Sequence, residues 1–213
     1  MDQNWKAIME KRVENTMKAL QNHNMDAYFI NDKAELIRKL DELVPEGSTV
    51  TVGGSMTLFE TGVIDYLRSS RFHFLDRYEK GLTPEQVVQV FKKAFTSDVF
   101  FSSSNAVTED GYLYNVDGNG NRVAPMIYGP DSVVIIVGWN KIVKDIDAAI
   151  ERNRQISAPA NVVRLGIPNP CAKTGHCMDC QGATRICCDY VLLGKQKIPG
   201  RIKVLILGED YGY

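Results

Sequence analysis

Residues 48–67, STVTVGGSMTLFETGVIDYL, give the clearest indication of the fold class of this chain. Ser48 to Val52 is rich in β-branched residues, which favours a strand. Two glycines and a serine follow the strand. Apolar residues then recur at helical spacing, at Leu58, Phe59, Val63, Ile64 and Leu67. The stretch therefore predicts a strand, a glycine turn and a helix.

Strands and helices alternate along most of the remaining chain. An apolar stripe predicts a helix within residues 1–24, and further strands are predicted at 26–30, 72–75, 99–101, 133–137 and 202–207. Such alternation is typical of a parallel sheet covered by helices. We therefore predict a single α/β domain over residues 1–213, with a mostly parallel central sheet and helices on both faces.

The segment from Glu109 to Tyr128 interrupts this pattern. Glycine, asparagine and aspartate are dense between two runs with strand character, Tyr112 to Val116 and Arg122 to Ile127. Clusters of these residues are typical of turns between paired strands. The sequence therefore predicts an insertion at this point, a β-hairpin or an extended loop.

Composition and charge narrow the functional classes. The chain has 25 Lys and Arg against 26 Asp and Glu, so a nucleic-acid binder is disfavoured. The longest apolar run, Val133 to Val137, is far shorter than the ~20 residues that span a bilayer, so no membrane association is predicted. The N-terminal residues lack the pattern of a signal peptide, and we expect a cytoplasmic protein.

All five cysteines lie between Cys171 and Cys188, in an irregular loop predicted at residues 168–190, directly before the last strand. Two of them form a Cys-x-x-Cys pair, a spacing that suits two neighbouring ligands of zinc or an iron–sulfur cluster. The predicted metal ligands are Cys171, Cys177, Cys180 and Cys187. The spacing leaves the choice between an iron–sulfur cluster and zinc open.

Other interpretations of the cysteine loop remain open. The thiols can form a redox-active disulfide, or they can be inert buried sulfurs. Cys188 is excluded from the ligand set because adjacent side chains diverge in most backbone conformations. His176, beside Cys177, is the reserve ligand.

The glycine turn is the first candidate binding site. Gly53 and Gly54 let a ligand approach the backbone, while the hydroxyls of Ser55 and Thr57 and the first amides of the next helix can hold an anion. The alternative is that Ser55 simply caps that helix. Ligands in open α/β sheets gather at the carboxyl ends of strands, which favours the binding interpretation.

The second candidate site follows the predicted strand at residues 99–101. Glu109 and Asp110 are candidates for a general base or a carboxylate nucleophile, although an ordinary turn explains them equally well. The predicted substrate-binding residues are Gly53, Gly54, Ser55, Thr57, Asn105, Asn121, Arg122 and Lys141. Arg122 is expected to pair with an anionic substrate, and Lys141 is expected at the same sheet edge.

Four segments together resemble the lactate-utilisation, or LUD, domain family: VGGSMT (52–57), SSNAVTEDG (103–111), GWNKIV (138–143) and PCAKTGHCMDCQGATRIC (170–187). The resemblance is closest to a stand-alone branch that carries the cysteine segment. It implies a fold similar to those of ribose-5-phosphate isomerase and the coenzyme A transferases, with the active cleft at the strand ends.

The resemblance also implies a role. It suggests a component of lactate or related organic-acid oxidation that binds a small anionic substrate and works with a redox partner protein. An isomerase-like or transferase-like enzyme with a structural zinc remains open, as does a non-catalytic regulatory subunit. Self-association into a homo-oligomer is also left open. Fold likeness by itself does not assign a reaction.

Overall fold

In the computed structural model, which describes residues 2–213, the strands form two sheets. The main sheet has six strands, all parallel, in the order β1-β10-β7-β4-β2-β3. These strands are β1 (Asp26–Ile30), β2 (Thr49–Val52), β3 (His73–Leu75), β4 (Val99–Ser102), β7 (Ser132–Gly138) and β10 (Ile202–Leu207). The predicted α/β class with a mostly parallel sheet is confirmed.

Helices cover both faces of the main sheet. They are α1 (Gln3–Asn22), α2 (Lys33–Leu43), α3 (Met56–Glu60), α4 (Val63–Leu67), α5 (Pro84–Lys93), α6 (Val123–Ile127), α7 (Ile146–Arg152), α8 (Ala158–Leu165) and α9 (Cys171–Thr174). Alternate residues of β7 point to opposite faces. Val133, Ile135 and Val137 pack in the core that α1 covers, whereas Val134 and Ile136 pack in the core beneath α2, α3 and α4. No helix within residues 2–213 has the length and hydrophobicity needed to span a membrane.

The second sheet was not predicted. It has the order β8-β5-β6-β9 and consists of β5 (Ala106–Thr108), β6 (Leu113–Asp117), β8 (Ile142–Val143) and β9 (Asp189–Leu193). The sequence did not indicate β9, because this strand begins directly after Cys188, within the loop predicted at residues 168–190, and is only partly buried. Because β9 begins directly after Cys188, its pairing with β6 holds the end of the cysteine loop against this sheet.

The hairpin prediction was wrong in its second arm. The hairpin is formed by β5 and β6, which pair antiparallel, whereas Val123–Ile127 is the helix α6. Pro125 lies in that run and has no backbone N–H for a strand ladder, but the first turn of a helix tolerates it. The turn-rich stretch between β6 and α6 is therefore a loop that leads into a helix.

Candidate functional site

A cavity of about 260 Å³ opens at the carboxyl edge of the main sheet. Its wall includes Gly54 and Ser55 after β2, Ser103 to Asn105 after β4, and Lys141 after β7. The loop from the end of β6 to Arg122 forms another side. All parallel strands end at the same edge, so residues distant in the sequence meet here.

Lys141 lies at the buried end of this cavity, with 3% of its surface exposed. Its Nζ donates to Thr57 Oγ1 at 2.9 Å and to Ser103 Oγ at 3.0 Å. An ammonium group has three protons, so one donor is left over from these two bonds. Burial, followed by the charges of Arg152 and Arg122, lowers the Lys141 pKa to about 7, and the carboxylate of Glu60 acts in the opposite direction.

Arg122 is buried and held by acceptors on several sides. Its Nη1 donates to Ser103 O at 3.1 Å and to Asn115 Oδ1 at 2.8 Å, while its Nη2 donates to Asn105 Oδ1 at 2.9 Å and to Val116 O at 2.7 Å. Burial lowers its pKa from the ordinary value. The guanidinium is therefore a fixed positive charge in the cavity wall.

A π-helical segment, Asn153–Ser157, joins α7 to α8 and positions a third cation. Arg152 Nη1 donates to Ser157 Oγ at 2.8 Å and to Asn105 O at 2.7 Å. The wider turn suits a contact between residues five apart, and such segments are frequent at functional sites. Burial lowers the pKa of Arg152 to about 10.

The three buried cations lack close acidic partners. Within residues 2–213, no carboxylate lies within 4 Å of the charged nitrogens of Lys141, Arg122 or Arg152. Acidic groups act on them only at longer range: Glu60 on Lys141, Asp117 on Arg122, and Asp210 on Arg152. Buried charges are normally paired. Lys141 and Arg122 line this end of the cavity, and Arg152 lies behind the wall residues Asn105 and Ser157, so this end favours an anion.

Most of the predicted binding residues lie at this cavity. Gly54, Ser55, Asn105, Asn121, Arg122 and Lys141 line it. Thr57 contacts Lys141, and a Cβ on Gly53 would lie 2.6 Å from Arg122 Cγ. Ser55 also caps α3 by accepting from Leu58 N at 3.4 Å. Since α3 has only five residues, the cationic side chains, not the helix dipole, make this edge receptive to anions.

Glu109 and Asp110 are not part of the cavity wall. The strand β5 carries the chain away from Asn105 before these residues occur. Glu109 Oε1 accepts from Arg12 Nε of α1 at 2.8 Å, and Asp110 accepts from the hydroxyl of Thr108. The expectation that either residue acts on a ligand held by Ser55 and Arg122 is therefore corrected. The periodicity of the sequence did not indicate β5, the three-residue strand that separates Glu109 and Asp110 from Asn105.

The cysteine loop lies against the cavity. Ile186 lines it, Cys188 N donates to Asp117 O at 2.8 Å, and Cys177 N donates to Arg154 O of the π-helical segment at 2.8 Å. The loop is therefore tied to two segments that form the cavity wall. Cys187 also packs against the small core formed by Ala106, Tyr114, Val116 and Ala149.

The four predicted ligand thiols affect one another electrostatically. Burial, followed by the charges of Cys180 and Cys177, raises the pKa of the Cys171 thiol. Burial, together with the charge of Cys177, raises the pKa of Cys187 to about 11. As the side chains are placed, no three His, Cys, Asp or Glu residues between positions 2 and 213 are arranged to hold a metal ion.

The sequence pattern did not indicate two arginines of the cavity. Arg77 and Arg164 lie in its wall, and neither forms an ion pair with a carboxylate among residues 2–213. Arg77 follows the short strand β3, and Arg164 lies on the polar side of α8. Neither residue is in a recognisable motif, so the sequence offered no signal that separates them from ordinary surface arginines.

Comparisons with known proteins agree on the fold. The family model of the LUD domain matches residues 13–207. A DUF162 family protein from Deinococcus radiodurans, whose crystal structure was determined at 1.70 Å, is similar with a TM-score of 0.51 at 14% sequence identity. The similarity covers 95% of this chain and 97% of that one. At this identity it shows the fold alone. No curated protein matches the sequence.

Proposed function

Because the chain belongs to the LUD domain family, we propose that it binds a small organic anion in the cavity, as a component of lactate or related organic-acid oxidation. The observation that carries the proposal is the set of three buried cations that have no carboxylate of residues 2–213 within 4 Å. A bound carboxylate or phosphate supplies the missing negative charge. The free proton of Lys141 and the hydroxyls around it supply the contacts.

Calorimetric titration with lactate, pyruvate and inorganic phosphate at pH 6.5 tests this proposal. We expect saturable binding of at least one of these anions to the wild-type protein. Lys141→Gln should weaken that binding by about tenfold or more, since a charge-assisted hydrogen bond contributes about 1.5–3 kcal/mol. Lys144→Gln, which changes an exposed lysine three residues away, is the matched control. If none of these anions binds, the proposal is wrong.

We also propose that Cys171, Cys177, Cys180 and Cys187 hold an iron–sulfur cluster or zinc, which would supply electron transfer or rigidity, respectively. Two observations support this donor set. Cys177 and Cys180 have the Cys-x-x-Cys spacing of neighbouring metal ligands, and Asp179 N donates to Cys177 Sγ at 3.4 Å within that pair. The side chains are not assembled around a centre, so binding requires the loop to close.

Metal and acid-labile sulfide analysis of anaerobically purified protein tests the cysteine proposal. Iron with sulfide and a broad absorption at roughly 400 nm identifies a cluster, and stoichiometric zinc identifies a structural site. Cys180→Ser should lose the metal, whereas Cys188→Ser should retain it, because the exposed Cys188 thiol points to Arg185 O. Protein without any metal would contradict the proposal. With a cluster, an electron-transfer partner protein is also expected.

A further inference from the structure

We infer that the cavity takes a small ligand with an anionic group at each end, one held at Lys141 in the interior and the other at Arg77 and Arg164 at the mouth. The inference rests on the proposed anion binding and adds the class of ligand. Among the described residues, 2–213, the wall of the cavity contains four cationic side chains and a single acidic one, Asp117. A ligand with one carboxylate leaves most of this positive charge uncompensated.

The mouth of the cavity has its own cationic cluster. Arg77 is held over the ring of Phe91, with 4.4 Å between its guanidinium carbon and the ring centroid, and Arg77 Nη1 lies 3.7 Å from the Cβ position of Gly54. Burial raises the pKa of Tyr78, and the charges of Arg77 and Arg164 both act in the opposite direction, so the two guanidinium groups, which line the same cavity, lie within electrostatic range of one hydroxyl. The nearby Asp76 pairs with Arg68 at 2.8 Å, and among residues 2–213 no carboxylate lies within 4 Å of the charged nitrogens of Arg77 or Arg164.

The mouth cluster is separate from the interior one. The charges that act on Lys141 are those of Arg152, Arg122 and Glu60, and neither Arg77 nor Arg164 is among them. Arg164 is exposed and Arg77 is half-buried, whereas Lys141 is fully buried. The cavity therefore has positive charge at two ends, and its wall also includes the polar residues Ser104, Asn105 and Asn161.

The dimensions limit the ligand. A cavity of about 260 Å³ lies below the range of roughly 300–1,000 Å³ that is usual for drug-sized molecules, so it is too small for a dinucleotide. Its polar lining favours hydroxyl and carbonyl groups between the charged ends. A dicarboxylate or a phosphorylated hydroxy acid of three to four carbons meets these requirements, and both share the two-ended anionic chemistry.

Calorimetry with matched pairs of ligands tests the inference. Succinate is compared with butyrate, and 3-phosphoglycerate is compared with lactate and with glycerol 3-phosphate. Each two-ended anion should bind about 100-fold more tightly than the partner that lacks one charged end, because a second charge-assisted contact is added. The affinities of succinate and 3-phosphoglycerate also show whether the second group is a carboxylate or a phosphate.

Variants at the mouth separate the two ends. Arg77→Gln and Arg164→Gln together should weaken binding of the two-ended anion by about 100-fold and change lactate binding less than about twofold. Arg164→Gln alone changes an exposed side chain and provides a test that is independent of folding. Arg38→Gln on α2 is the control for loss of a surface arginine.

The outcomes of these titrations test the two-ended ligand and the proposed anion binding separately. Tighter binding of the two-ended anions that depends on both mouth arginines supports the inference. Equal affinity for one-ended and two-ended anions overturns the inference but leaves anion binding in place. Failure of every anion to bind overturns the proposed function, and the inference with it.

Discussion

Replacement of Lys141 by methionine should stabilise the protein at neutral and acidic pH. The ammonium group is buried, and its pKa falls from an ordinary 10.5 to about 7. At 1.36 kcal/mol per pKa unit, this corresponds to a cost of up to roughly 5 kcal/mol for the charged form in the folded state. Methionine fills a similar volume without a charge. It loses two hydrogen bonds worth about 1 kcal/mol each, which leaves a net gain of about 3 kcal/mol.

The gain should depend on pH in a defined direction. Because the folded-state pKa is lower than the unfolded one, the unfolded chain binds more protons between pH 7 and pH 10.5, and wild-type stability rises with pH there. Below pH 7 both states carry the charge, so the full cost is present. The advantage of Lys141→Met should therefore be constant below pH 7 and shrink by up to about 1.4 kcal/mol per pH unit above it.

Urea unfolding of both proteins at pH 6, 7, 8 and 9 measures this difference. Lys144→Met is the control, because its side chain is 86% exposed. It should change stability by less than about 0.5 kcal/mol at each pH. A Lys141→Met protein that is less stable than wild type at pH 6, or whose advantage does not change with pH, would refute the reasoning about the buried charge.

Three further predictions concern the cavity and its surroundings. A bound anion should raise the pKa of Lys141. Anion affinity measured by calorimetry should therefore be constant below pH 7 and fall by up to tenfold per pH unit above it. An affinity that does not change with pH would exclude Lys141 from the contact. Gly53→Ala places a Cβ 2.6 Å from Arg122 Cγ and should lower the free energy of unfolding by about 1–3 kcal/mol, while Gly182→Ala, with no neighbour within 4 Å, should have little effect in the same urea titration. Glu109→Gln should leave anion affinity unchanged and lower the free energy of unfolding by less than about 1 kcal/mol, because it breaks only a partly exposed ion pair with Arg12. A loss of anion affinity in this variant would show that the Glu109 carboxylate acts at the cavity.

Local sequence patterns were sufficient for the main elements. β-branched strands and amphipathic helices depend on residues close in the chain, and the strands of the parallel sheet were found from them. The hairpin's second arm and β9 were misjudged because pairing partners, not local periodicity, determine short and half-exposed strands. The second sheet could not be predicted from local periodicity for the same reason.

The residues of the candidate site also form two groups: those that the local sequence indicated, and those whose position depends on tertiary packing. Residues that follow strand ends, such as Ser55 and Lys141, were found because parallel strands finish at one edge of a sheet. Glu109 also follows a strand in the sequence, but β5 takes it to Arg12 on α1. Arg77 and Arg164 come from a loop and a helix that only packing brings to the cavity.

The sequence alone determined the fold class, the polar strand ends and the cysteine-rich segment, because each depends on residues that lie close together in the chain. Only the tertiary structure decided which cations are buried together without acidic partners, and which carboxylates lie elsewhere. Burial and the distance between charges depend on contacts between residues far apart in the chain, and these set both the pKa of Lys141 and the preference of the cavity for anions.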